Sequence, residues 1–182
     1  MKPQNNYLFN RVFVNNNTSR SKNPHSNHAC KLMLEAKTTV LPVESSDWSG
    51  DGGFKFIAFS DLLAKNLEEG VSADVIGMVT KFSEEKQYGN TDDEQSKYRV
   101  INLRDLEGLS LSCTLWGKFM RLFYNYVNSE EEKQCVILII QFGKTKKHGD
   151  HLTVRSDWNF TQVLLDVNLQ VVTDFRKRYL PY

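Results

Sequence analysis

Residues 100–117 read Val-Ile-Asn-Leu-Arg-Asp-Leu-Glu-Gly-Leu-Ser-Leu-Ser-Cys-Thr-Leu-Trp-Gly. Two runs of period two meet at a turn. Ile101 and Leu103 alternate with Asn102 and Arg104; Leu109, Leu111, Cys113 and Leu115 alternate with Ser110, Ser112, Thr114 and Trp116. Successive strand side chains point to opposite faces, so the leucines and Cys113 are expected on one buried face. Asp105 to Gly108 lies between the runs, and Gly108 is free to take a positive φ. The stretch predicts a hairpin with an apolar and a polar face. Trp116 falls on the polar face. Two readings follow: a ring folded over the rim of the core, since most Trp residues are largely buried, or an exposed ring open to a flat partner.

Outward from this hairpin, residues 71–82 form a further strand, with Gly77 at an expected bulge or bend. Residues 83–97 connect the two and carry Glu84, Glu85, Asp92, Asp93 and Glu94. Phe119, Leu122, Phe123 and Tyr126 recur at helical spacing, so residues 118–127 predict an amphipathic helix capping the sheet. Residues 129–133 read as an acidic loop. Residues 135–142 are apolar but for Gln141, as in a strand buried on both sides. Residues 144–149 read as a basic turn ending at Gly149, followed by a strand in which Leu152 and Val154 alternate with Thr153 and Arg155. Leu169, Val172, Phe175 and Tyr179 stripe a closing helix beside Arg176, Lys177 and Arg178. Such a stripe serves core packing or a protein partner.

The first part of the chain reads as two strands, at residues 7–15 and at 29–36 with an extended continuation over 38–43, joined by a long polar loop at 15–27. A linker containing Gly50-Asp51-Gly52-Gly53 follows. Residues 54–60 are short and aromatic, and 61–65 predict one helical turn leading into the sheet. The expected division is therefore 1–53 and 54–182.

Hydrophobic residues make up 40% and charged residues 25%, an ordinary globular balance, and the net charge of +1 gives no bulk basicity. Nucleic-acid binding would need a local basic groove. Cys30, Cys113 and Cys135 form no Cys-x-x-Cys pair, so no zinc ribbon is expected. His25, His28 and Cys30 lack a fourth ligand, and no metal or cofactor is expected. The odd cysteine count and the lack of a signal-peptide pattern favour a reducing compartment. No apolar run approaches membrane-spanning length. No phosphate loop, nucleophile elbow or other catalytic motif occurs, so the expectation is a binding protein rather than an enzyme.

Leu115-Trp116-Gly117 after an alternating strand, with Asp74-Val75-Ile76-Gly77 upstream, resembles the second DNA-binding OB domain of the replication protein A large subunit, and in particular the plant replication-protein-A-like OB proteins. The similarity covers residues 54 to about 180. It implies a five-stranded OB barrel that binds single-stranded DNA in the nucleus, in replication, repair or recombination, with RNA as an open alternative. Residues 1–43 resemble the last two strands of a preceding OB domain, through Thr38-Thr39-Val40 and the loop carrying Arg20, and are expected to be a two-stranded remnant of that truncated domain.

In that family the Trp matching Trp116 stacks on bases. Single-strand binding needs rings for bases and cations for phosphates. The candidates are Trp116 for stacking and Arg99, Arg104, Lys144, Lys146, Lys147 and Arg155 for phosphates. The family's second aromatic belongs two residues before Gly149; here that position is Lys147, with His148 as a weak substitute. This departure and the acidic loop point towards weaker binding, and the rival reading is an OB scaffold for protein contacts or a copy that has lost DNA binding.

Overall fold

The computed structural model describes residues 6–16, 29–43, 53–64, 67–90, 92–129 and 135–179. The chain divides into two compact units, Met1–Gly53 and Phe54–Tyr182. In the first, β1 (Asn6–Asn10) pairs antiparallel with β4 (Thr39–Val43), and β2 (Phe13–Asn16) with β3 (Cys30–Met33). Residues 7–15 are therefore not one strand. Arg11 takes a φ of 57°, and its carbonyl accepts a 2.8 Å bond from the Thr38 hydroxyl, so the chain changes sheets there. No described side chain of this unit is fully buried. Two-stranded sheets offer no second layer in which to bury one.

The second unit is built on a closed barrel. After α1 (Phe59–Leu63), β5 (Ser72–Phe82) pairs antiparallel with β7 (Lys97–Arg104) and with β9 (Ile137–His148). The short β6 (Lys86–Gln87) pairs with the start of β7. β7 pairs antiparallel with β8 (Ser110–Trp116), β8 parallel with β10 (His151–Arg155), and β10 antiparallel with β9. The order β5-β7-β8-β10-β9 returns to β5, so the barrel has no free edge. The ladder shifts register at Ala73/Val75 and at Val79/Lys81, which lets β5 bend and serve both sides. Gly77 lies between these shifts. A Cβ there would stand 2.9 Å from Leu103 Cβ and 3.0 Å from the Arg104 carbonyl, so glycine permits the close approach of β5 and β7.

Val75, Ile101, Leu103, Leu111, Cys113, Leu115, Leu138, Ile140 and Val154 fill the interior. Phe119, Met120 and Phe123 of α2 (Gly117–Val127) and Phe59 and Leu62 of α1 pack into the same core. Burial pushes the Cys113 thiol well above its ordinary value, because a thiolate there would lose its hydration. Leu109 departs from the expected register: it is 36% exposed. Its N–H donates to Asp105 Oδ1 (2.7 Å) and its carbonyl accepts from the Asp105 N–H (3.0 Å), so it closes the turn rather than lying over the barrel.

β9 is apolar on both faces for two reasons. Leu138 and Ile140 point into the barrel, while Ile137 and Ile139 pack against Val172 and Phe175 of α3 (Gln170–Tyr179). The stripe on α3 is thus used for packing within the chain. The basic residues after Phe142 do not form a turn. They continue β9 to His148, because each residue from Lys144 on has a partner in β10, and the turn is Gly149-Asp150 alone. A further strand, β11 (Gln162–Leu165), pairs with β9 before α3 and had no counterpart in the sequence expectations.

Candidate nucleic-acid interface

The register fixes what the barrel shows on its outside. Counting outward from the Asp105–Gly108 turn, Arg104 faces Ser110, Asn102 faces Ser112, Val100 faces Thr114, and Tyr98 faces Trp116. These eight side chains alternate with the buried Ile101, Leu103, Leu111, Cys113 and Leu115, so they share the outer face. β10 extends that face: Arg155 lies beside Thr114 and Thr153 follows its parity. Across the next ladder Lys144 pairs with Arg155, Lys146 with Thr153, and His148 with His151. One continuous surface therefore carries Trp116, Arg104, Arg155, Lys144, Lys146 and His148 of the expected site.

Trp116 does not stand alone. Directly opposite residues on paired strands bring their side chains together, and the Tyr98 ring lies 4.5 Å from the Trp116 ring, tilted by 32°. Tyr88 approaches from the loop after β6, with its ring 6.3 Å away and near perpendicular at 76°. Its N–H donates to the Ser96 carbonyl at 2.9 Å, which ties that loop to the start of β7. Trp116 is half-buried while Tyr88 is 73% exposed. The Trp116 N–H donates to Ser156 Oγ (2.9 Å), which holds the end of β8 to the segment after β10. The result is a cluster of three rings, with Tyr88 the most exposed, on which a flat ring can stack.

The cations differ from one another. Arg104, Lys147, His148 and Arg155 are exposed. Lys144 is paired with Asp157 (2.8 Å) and its side chain is only 12% exposed. Lys146 Nζ lies 2.6 Å from Glu69 Oε1, and this hydrogen bond holds the Glu69 carboxyl below its ordinary value. His148 packs edge-on to His151 at 5.8 Å. Lys147 faces Leu152, a core position, so it has the parity opposite to Lys146 and lies on the other side of the hairpin arm.

Arg99 is not available to phosphates as its charge suggested. It shares the parity of Ile101 and Leu103 and is buried, 6% exposed. Its guanidinium donates to the Ser83 carbonyl (2.8 Å) and lies 4.5 Å over the Tyr124 ring of α2. It braces the loop against the helix and is not on the outer face.

The acidic loop is partly neutralised from within. Lys97 Nζ lies 3.0 Å from Asp92 and 3.7 Å from Glu85, and its hydrogen bond to Asp92 pushes the lysine ammonium upward. Arg121 of α2 pairs with Glu94 at 3.0 Å. Among the described residues no group of His, Cys, Asp and Glu is arranged to hold a metal ion, and no helix is long and apolar enough to cross a membrane. His25 and His28 lie outside the described residues.

The topology and a structural likeness agree. The chain matches a structure of a replication protein A heterotrimer bound to single-stranded DNA with a TM-score of 0.63 and 18% identity, over 98% of this chain and 40% of that one. The barrel is an OB fold. In sequence, two of the 70 kDa DNA-binding subunits of replication protein A from Arabidopsis thaliana are similar to it. One is 30% identical over 96 residues and the other 27% identical over 103 residues. Those alignments take in 52% and 57% of this chain but 15% and 11% of the relatives, so the chain matches a small part of their length. No protein-family model matches. Over about half of its length this OB-fold chain is thus similar in sequence to part of the replication protein A large subunit.

Two ring positions of this OB domain, Tyr98 and Tyr88, are absent from the sequence expectations. Tyr98 was legible: counting along both strands from the turn puts it opposite Trp116. Tyr88 sits in a loop with no periodicity to betray it.

Proposed function

We propose that this OB domain binds single-stranded DNA with little sequence preference, by stacking bases on Trp116 and Tyr98 and by holding phosphates with Arg104, Lys146 and Arg155. At the hairpin tip Lys147, on the other side of the arm, adds positive potential, and His148 offers an exposed imidazole. The observation that carries the reading is the paired Tyr98–Trp116 platform on an outer face bordered by exposed cations. Rings give sequence-tolerant stacking and cations give phosphate attraction. The names of the Arabidopsis relatives as DNA-binding subunits support it. On the same ground the setting is nuclear DNA replication, repair or recombination, and the role is binding rather than catalysis. Met1–Gly53 is read as a partial OB-like unit.

The rival, an OB scaffold that has lost DNA binding, is favoured by one observation: two of the lysines on the face are already paired, Lys144 with Asp157 and Lys146 with Glu69. Fluorescence anisotropy with labelled oligo(dT), challenged with unlabelled oligo(rU) and with duplex DNA, separates these. The proposal expects saturable binding that oligo(dT) competes better than duplex. Absence of binding at low salt supports the scaffold.

A further inference from the structure

Beside the platform, Trp116 also lines a cavity of about 200 Å³, together with Gln95, Arg155, Ser156, Asp157 and Trp158. We infer that Trp158 is a second base-stacking residue, and that this cavity takes the single-ring base next to the one held on Trp116. The inference rests on the single-strand reading above and deepens it. The cavity is smaller than the roughly 300–1,000 Å³ of pockets for drug-sized ligands, so it suits one flat ring rather than an extended molecule. Two indoles line it, and the exposed Arg155 at its edge suits the phosphate that joins successive nucleotides.

Trp158 is not a core residue: it is 38% exposed. Yet it is held in place. Its turn is locked by Asp157, whose N–H donates to Thr161 Oγ1 (2.7 Å) and whose Oδ1 accepts from the Asn159 N–H (3.1 Å). Thr161 Oγ1 in turn donates to the Phe142 carbonyl (3.0 Å), tying the turn to β9. Lys118 Nζ sits 4.9 Å over the Trp158 ring and covers one face. The ring edge rests on Gly117, where a Cβ would come within 2.7 Å of Trp158 Cζ3 and where φ is +49°, so a side chain at 117 would displace the ring and strain the backbone. A large, half-exposed ring fixed by its neighbours is prepared for a ligand at low ordering cost. The stacked path then runs from Tyr98 and Trp116 towards the β10–β11 connection. No base stacks along the β9–β10 arm, whose tip offers Lys147 and imidazoles; that arm serves the phosphates.

The test uses the whole chain and the shortest oligo(dT) that binds fully, with each position in turn made abasic or replaced by photoreactive iodouracil. Trp158→Ala should weaken binding about five-fold or more, the effect of losing one stack, while Trp158→Phe keeps most of it and both variants melt as the parent does. One abasic position should cost the parent but not Trp158→Ala, and a neighbouring one should behave so for Trp116→Ala. Iodouracil at those two positions should crosslink to peptides containing Trp158 and Trp116. Parental affinity in Trp158→Ala, or the same abasic cost at every position in that variant, overturns the inference while leaving the platform intact. Failure of the parent to bind any oligo(dT) overturns both.

Discussion

The β7–β8 hairpin and the β9–β10 hairpin border one outer face but furnish it with opposite chemistry. The first puts rings at its open end, Tyr98 against Trp116, with Arg104 at its turn end. The second puts cations and polar groups along its arm, Lys144 opposite Arg155, Lys146 opposite Thr153 and His148 opposite His151. Their inner faces are alike, Leu111, Cys113 and Leu115 in one and Val154, Leu152 and Thr145 in the other, all buried. The barrel's stability and its proposed ligand chemistry thus sit on alternate residues of the same strands. The proposed stacking and phosphate contacts should therefore be separable by mutation.

The largest effect should come from the shared inner face. Leu111 is fully buried, so Leu111→Ala is expected to cost about 2–5 kcal/mol of stability, while the outer Ser112→Ala changes the melting temperature little. Thermal melts of the two check this; equal effects would mean the faces are misassigned. Next comes the ring hairpin. Tyr98→Ala should weaken oligo(dT) binding by up to about 1–3 kcal/mol, through loss of its own stack and of the surface that positions Trp116, with the salt dependence unchanged.

The charged hairpin should respond in the reverse manner. Arg155→Ala is expected to lower the slope of log affinity against log salt by about 0.7, one phosphate contact on a single strand. Smallest, and opposite in sign, is Glu69→Gln. It releases Lys146 from its 2.6 Å pair and should tighten binding at low salt, with the gain vanishing as salt rises. A Glu69→Gln variant that binds more weakly would place Lys146 outside the interface.

Much of the barrel was legible because periodicity reports burial. The β7–β8 register follows from alternation on either side of a Gly-containing turn, and the apolar run of β9 announced burial on both faces. What escaped lacked such a signal. β11 is four residues long, and the arm of β9 beyond Gly143 is a strand of Lys, Thr and a final His whose reason to be extended is its partner in β10. Arg11 broke a strand that looked continuous because a hydrogen bond from Thr38, distant in sequence, holds the break. For the site, strand parity alone puts Trp116 on the outer face. Arg99 was misplaced because its cationic charge was weighed without its parity, which it shares with Ile101 and Leu103.

The central claim is that bases stack on the Tyr98–Trp116 platform. The measurement that tests it most directly is an anisotropy titration of labelled oligo(dT) with the parent chain and with Trp116→Ala, each at low and at raised salt. The prediction is saturable binding by the parent that weakens with salt, and a loss of roughly 1–3 kcal/mol in Trp116→Ala with the salt slope preserved, because a stack releases no counterions. Equal binding by Trp116→Ala, or no binding by the parent at low salt, would contradict it.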